Sequence, residues 1–116
     1  MRSADDPDDA LSSVLAGLAL SARQANLARS EVIAEALVAV AEGRLTEAQR
    51  AAAEHAAHQV VGSAGTFGAH RASELAGFLE VYLTGDEAAR ADGLSRAQAQ
   101  LEEVRRELEA DHQVEE

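Results

Sequence analysis

The sequence predicts an all-α protein: an antiparallel up-down four-helix bundle with an additional short N-terminal helix. Hydrophobic residues make up 47% of the 116-residue chain, mainly Ala and Leu, and Pro occurs once, a composition typical of helical proteins. Apolar residues recur at three- and four-residue steps, as in helices with one buried face. Capping residues and glycines divide the chain into four main segments of about 15 to 20 residues, which pack most economically as an antiparallel bundle.

The N-terminal part should contain a disordered acidic segment, residues 1–8, and then the short helix, over about residues 9–20. The short helix is predicted from the spacing of Leu11, Val14, Leu15 and Leu18. The first bundle helix should continue the apolar stripe and end near Glu42, because Gly43 stands where a left-handed C-cap glycine belongs. No strong helix breaker lies between Ser21 and Asn26. The two segments could therefore also form one long helix.

A capping box opens the next helix, since Thr46 is followed three residues later by Gln49. The inward positions of this helix are expected to be Ala53, Ala56, Ala57, Val60 and Ala64. The sequence Gly65-Thr66-Phe67-Gly68 should end it in a tight turn.

Two more helices complete the bundle. The first spans about residues 69–84 before Gly85, with an apolar stripe of Leu75, Phe78, Leu79, Tyr82 and Leu83. Asp92 or Ser95 is expected to cap the last helix, whose inward residues are Leu94, Leu101, Val104 and Leu108. The domain should cover residues 9–111, leaving residues 112–116 as a frayed acidic tail. Phe67 and Phe78 are expected to fill much of the core.

His58 is the candidate reactive residue. It shares one helix face with Gly62 and Gly65, at positions i, i+4 and i+7. Glycine in a helix interior costs roughly 1 kcal/mol relative to alanine. Two glycines on this face indicate either that another backbone approaches here or that the helix is ending.

Charge and composition exclude several functions. The formal net charge of −11 should repel nucleic acid and anionic membranes. The chain has no cysteine, which removes disulfides and thiolate metal sites. No apolar run is long enough to span a membrane, and no targeting segment is seen at the N-terminus. We therefore expect a cytoplasmic protein that binds neither nucleic acid nor membrane. We also expect it to be a monomer.

The residues around His58 resemble the histidine-containing phosphotransfer (HPt) domains of bacterial multistep signalling. The matching residues are Ala57, His58, Gly62, Ser63, Ala64, Gly65, Thr66, Phe67 and Gly68, followed by Ala72, Ser73, Glu74, Leu75, Ala76, Leu79 and Glu80. The resemblance implies that His58 accepts a phosphoryl group from a receiver aspartate or a histidine kinase and passes it to a receiver domain. It also implies that a receiver domain and a sensor histidine kinase are the partners. Mg²⁺ is expected on the partner receiver, and no metal or cofactor on this chain.

The chain departs from the family pattern at Val61, where the family usually has lysine beside the phosphorylated ring. Arg71, just past the turn, is a possible substitute cation. One turn before His58, Glu54 could accept a hydrogen bond from the ring and fix its tautomer. The predicted docking surface is Glu54, Val61, Gly62, Gly65 and Arg71.

Other functions stay open at this point. A degenerate relative could dock partners without efficient transfer, and a helical scaffold could dimerise through the last helix, with Arg96, Glu102, Glu103, Arg105 and Arg106. A metal site of Glu54, His55 and His58 lacks a known ligand pattern, and Ser63 lacks a catalytic base and acid. His55, His70 and His112 are expected to be surface residues. Without a glycine-rich loop carrying a lysine, the chain should be a phosphotransfer intermediate without an ATP site of its own.

Overall fold

The computed structural model describes residues 7–110 and confirms the all-α bundle. Its helices are α1 (Pro7–Ala41), α2 (Glu47–Thr66), α3 (His70–Thr84) and α4 (Glu87–Glu109). Each helix packs against the next along the chain, and α1 also packs against α4, which closes the bundle. Residues 1–6, most of the predicted disordered segment, and residues 111–116, with His112 and the predicted tail, lie outside the described residues.

The prediction of a separate short N-terminal helix is wrong, because α1 runs without interruption from Pro7 to Ala41. Pro7 occupies the first turn, where its missing N–H costs nothing, and Asp8 and Asp9 favour the positive end of the helix dipole. With no breaker after Leu20, nothing ends the helix before the bundle begins. The helix also starts two residues before the predicted domain boundary.

The first half of α1 projects beyond the bundle. The whole of α1, with 35 residues, spans about 52 Å at 1.5 Å per residue. The 23 residues of α4 span only about 35 Å. The first buried residue of α1 is Asn26. The predicted stripe of Leu11, Val14, Leu15 and Leu18 is therefore between 51% and 58% exposed.

The connections are encoded much as predicted. Gly43 adopts φ +69 after α1 and Gly68 adopts φ +90 after α2, a region of backbone space that favours glycine. The Thr46 hydroxyl accepts the Gln49 N–H at 3.1 Å. In return, the Gln49 side chain accepts the Thr46 N–H at 2.9 Å, so the capping box that starts α2 is complete.

The start of α4 differs from the prediction. Asp86, not Asp92 or Ser95, is the N-cap, and its carboxylate accepts the Ala89 N–H at 2.8 Å. Gly93 lies inside the helix, where an added Cβ would stand 3.2 Å from the ring of Tyr82. The Asp-Gly pair at 92 and 93 thus reflects close packing between α3 and α4 and not a helix start.

The core consists of alanines with a few larger aliphatic side chains. The predicted inward set of α2 is confirmed, from Ala53 to Ala64. Leu79, Leu83 and Val104 are fully buried. Phe78 was expected in the core but is 51% exposed, because it lies outside the face of α3 that Leu75, Leu79 and Leu83 turn inward.

Candidate functional site

His58 lies on the outward face of α2 with 70% of its side chain exposed. Its neighbours Ala57 and Val60 are fully buried in the bundle, which fixes the rotation of the helix about its axis. The imidazole therefore points to solvent from a rigid platform.

The His58 ring is held by a carboxylate from the neighbouring helix. Its Nδ1 lies 3.0 Å from Oε2 of Glu80, on α3. An ionised carboxylate only accepts hydrogen bonds, so this contact favours the tautomer with the proton on Nδ1. The lone pair of the neutral ring is then on Nε2.

Small residues set the register that brings Glu80 beside His58. A Cβ added to Gly77 of α3 would lie 3.9 Å from Cγ2 of Val61. One turn further along α2, a Cβ added to Gly65 would lie 3.3 Å from Oγ of Ser73. The Ser73 hydroxyl also donates to the Val61 carbonyl at 2.6 Å. Close approach of α2 and α3 at these points positions the ring and the carboxylate.

The two glycines predicted for docking differ in their surroundings. A Cβ on Gly62 would have no neighbour within 4 Å, whereas Gly65 is tightly packed against Ser73. Packing within the chain therefore explains Gly65. No such packing accounts for a glycine at position 62. The absence of a side chain there leaves the surface beside His58 open to an approaching partner.

Glu54 does not bond the His58 ring, contrary to the predicted orienting role. Its carboxylate accepts a hydrogen bond from Nη1 of Arg50 at 2.5 Å, and Arg50 also pairs with Glu47. Hydrogen bonds to these two carboxylates, Glu47 first, raise the pKa of the Arg50 guanidinium. Glu54 thus stays near the site as part of an ion-pair cluster.

Arg71, the possible substitute for the missing lysine, is paired with carboxylates elsewhere. Its guanidinium bonds Glu103 of α4 at 3.1 Å and pairs with Glu74, and the bond to Glu103, then that to Glu74, raises its pKa. It lies nine residues before Glu80 on α3, about 13 Å along the helix axis. The hydrogen bonds of the Arg71 guanidinium are therefore directed to carboxylates of α3 and α4 and not to the His58 ring.

The other residues considered from the sequence have ordinary surroundings. His55 and His70 are exposed, and Ser63 accepts a hydrogen bond from Asn26 on α1 at 3.2 Å. Between residues 7 and 110, no group of three or more His, Cys, Asp or Glu side chains could hold a metal ion. Within that range, too, no helix combines the length and apolar character needed to cross a bilayer.

Sequence reasoning did not single out Glu80 as the ring's partner. It also missed the outward apolar residues of α3, Val81 and Phe78, which are 70% and 51% exposed. The signal for Val81 was present: it falls outside the Leu75, Leu79 and Leu83 stripe and follows Glu80 directly. Val81 gives the outward face of α3, next to Glu80, an apolar component suited to contact with another protein.

Comparison with known proteins identifies the family. The family model of the Hpt domain matches residues 18–113, which include all of α2, α3 and α4. Comparison with curated proteins and with solved structures finds no significant match. Hpt domains carry out histidine phosphotransfer in phosphorelays, where they interact with receiver domains and histidine kinases. Because the match covers most of the chain, this protein belongs to the Hpt domain family.

Proposed function

We propose that His58 is the phosphoacceptor of this Hpt domain. It accepts a phosphoryl group from a receiver aspartate or a histidine kinase and passes it to a receiver domain. The observation that carries the proposal is the exposed imidazole, whose Nδ1 lies 3.0 Å from the Glu80 carboxylate. That contact leaves Nε2 to attack.

Transfer from an aspartyl phosphate is a single in-line displacement. The Nε2 lone pair forms a bond to phosphorus while the bond from phosphorus to the aspartyl oxygen breaks, and the aspartate leaves as a carboxylate. The ring keeps its proton on Nδ1 and becomes cationic. Glu80 stabilises that cation, and the reverse displacement on another receiver aspartate restores the neutral ring.

The surrounding surface suits a partner that brings the remaining groups. Gly62 leaves space beside the ring, and Val81 offers an apolar contact. Mg²⁺ on the receiver would neutralise the oxygens of the transferring phosphoryl group. The net charge of −11 favours such protein partners over nucleic acid or membrane, and a cytoplasmic location is part of the proposal.

A second candidate function rests on Val61. Neither α2 within one turn of His58 nor the facing residues Gly77 and Glu80 of α3 provide a lysine or arginine. A domain of this kind could dock receivers while holding a phosphoryl group poorly. Such a domain would use the same docking surface as a phosphotransfer domain but would become phosphorylated to a smaller extent.

Phosphotransfer from a phosphorylated receiver separates the two functions. The chain is incubated with labelled receiver, and acid-labile, alkali-stable label is followed over time. We expect labelling of the wild type, none of His58→Gln, and full labelling of His55→Gln. The last variant is a matched control, since His55 is exposed on the same helix one turn earlier.

Equal labelling of wild type and His58→Gln would refute the relay function. Receiver binding without labelling of the wild type would instead support the docking function. Circular dichroism spectra should be the same for all three chains, because both histidines lie outside the core.

A further inference from the structure

The projecting half of α1 carries an uncovered apolar surface. We define the projecting stripe as Leu11, Val14, Leu15 and Leu18, whose positions i, i+3, i+4 and i+7 share one helix face. Each is more than half exposed. Three of the four precede the region that matches the Hpt family model, which begins at residue 18.

The projecting stripe continues the face by which α1 enters the bundle. Followed along the helix at its natural period, it leads through Ala22, Ala25 and the half-buried Arg29 to Ile33 and Ala36. Those last two residues are 1% and 2% exposed. The same apolar face is therefore covered by other helices at one end of α1 and uncovered at the other.

Within residues 7–110, no other helix covers the projecting stripe. The residues outside the described range read MRSADD and DHQVEE, in which Met1, Ala4 and Val114 are the only apolar side chains. They are too few and too scattered to bury four large aliphatic residues. A second helix with a similar stripe would bury them.

Charges at the two ends of the stripe favour a second copy of the same helix. Residues 10–22 read ALSSVLAGLALSA and carry no charge, so two copies can meet there despite the net charge of −11. Asp8 precedes the stripe and Arg23 follows it; at about 100° per residue both lie on the same side of the stripe, Asp8 beside it and Arg23 further round the helix.

Orientation follows from these flanking charges. When two copies of a helix pair antiparallel about a two-fold axis, residues on one side of the stripe in one copy meet residues on the same side of the stripe in the other copy. The start of one helix then lies beside the end of the other. Asp8 of each copy then lies alongside Arg23 of its partner. Parallel pairing would instead place the acidic first turns, with Asp8 and Asp9, next to each other.

We infer that the protein forms an antiparallel homodimer through the projecting stripe of α1. This inference replaces the sequence-based expectation of a monomer and assigns dimerisation to α1, not to the last helix. It does not depend on phosphotransfer. Because a single pair of helical segments makes a small interface, the dimer should be in rapid exchange with the monomer.

Analytical ultracentrifugation tests the dimer. Between about 1 μM and 1 mM, the average mass of the full chain should rise from 12.2 kDa toward twice that value. Leu18→Glu should remain monomeric throughout, since it places like charges in the paired stripe. Leu20→Glu is the matched control: Leu20 is 47% exposed on the opposite side of α1, so this variant should associate as the wild type does.

A wild type that stays monomeric at the highest concentration would overturn the inference. So would equal loss of association in both variants, or association unaffected by Leu18→Glu. Circular dichroism checks that the variants fold, which we expect because both leucines lie outside the core.

Disulfide trapping tests the orientation in a chain that has no cysteine of its own. In the antiparallel dimer, Leu11→Cys should cross-link faster with Ala22→Cys than either variant does with itself. Faster self-linking of Leu11→Cys would show parallel pairing and contradict the proposed arrangement.

Discussion

Two seams of the bundle are closed in different ways. Between α2 and α3, the contacts are made by small residues at Gly65 and Gly77, and the His58 imidazole stands above them. Between α1 and α4, the long side chain of Arg105 lies across the seam, bonding Ser30 at 3.3 Å and pairing with Glu31. Small residues thus leave a functional group accessible, while a long ion-paired side chain covers the surface.

The largest predicted effect is steric hindrance of phosphotransfer at the open surface between α2 and α3. Gly62→Gln should lower the rate of phosphotransfer from a receiver at least tenfold, roughly 1.4 kcal/mol or more, because the new side chain occupies the open space beside His58. The fold should be retained, since nothing lies within 4 Å of that position. Stopped-flow or quenched transfer assays would measure the rate.

Ala52→Gln provides the control for that variant. Ala52 is exposed on α2 but lines a groove toward α1, so its enlargement should leave transfer unchanged. Equal inhibition by both substitutions would mean that the open surface at Gly62 has no special part in docking.

The ring contact should have the next largest effect. Glu80→Ala should slow transfer by about tenfold, about 1.4 kcal/mol, because the ring loses the acceptor that fixes its tautomer. Glu80→Gln should retain much of the rate, since its amide oxygen can still accept from Nδ1. The fraction of each neutral tautomer, measured by nitrogen NMR of the ring, should shift in Glu80→Ala alone.

The matched control is Glu31→Ala, which removes a carboxylate from the α1–α4 seam. It should leave both the transfer rate and the His58 tautomer unchanged. An identical tautomer ratio in wild type and Glu80→Ala would show that the carboxylate does not orient the ring.

Restoring the family lysine should have a smaller effect. Val61→Lys should raise the equilibrium constant for phosphorylation of the domain by roughly fivefold, and with it the phosphorylated fraction, corresponding to about 1 kcal/mol for a partly exposed ion pair. The lysine stem can lie along the surface that Val61 now covers. Val38→Lys, at a valine 48% exposed on α1, should not change that fraction.

The smallest predicted effects are changes in the free energy of unfolding when Gly62 or Gly65 of α2 is replaced by alanine. Gly62→Ala should stabilise the fold by up to about 1 kcal/mol, because alanine is the better helix former and meets no neighbour. Gly65→Ala should gain less or destabilise, since its Cβ would stand 3.3 Å from Oγ of Ser73. Urea unfolding followed by circular dichroism would compare them, and equal gains would contradict the difference in packing.

Local signals in the sequence predicted much of the fold and singled out His58 as the candidate reactive residue. The capping box at Thr46 and the left-handed glycines at 43 and 68 depend only on neighbouring residues, so the turns could be predicted from them. The inward alanines of α2 follow from helical period alone. Asp92 and Ser95 misled as candidate caps because the helix already begins after Asp86, and the glycine at 93 is a point of close packing with the Tyr82 ring of another helix.

The remaining features depend on how the helices meet. Glu80 lies 22 positions from His58, and only the register of α2 against α3 brings the two together. The same register packs Gly65 against Ser73 of α3 and leaves Gly62 without a neighbour. In the sequence both are simply glycines on the histidine face. Leu11 to Leu18 have a core-like period, but only the lengths of the other helices decide that they stay uncovered.

The position of the phosphoryl group after transfer tests the central claim most directly. Mass spectrometry locates the modified residue, and phosphorus NMR distinguishes the two ring nitrogens. The bond from Nδ1 to Glu80 predicts a phosphoryl group on Nε2 of His58. A phosphoryl group on Nδ1 of His58, or on any other histidine, would contradict the account.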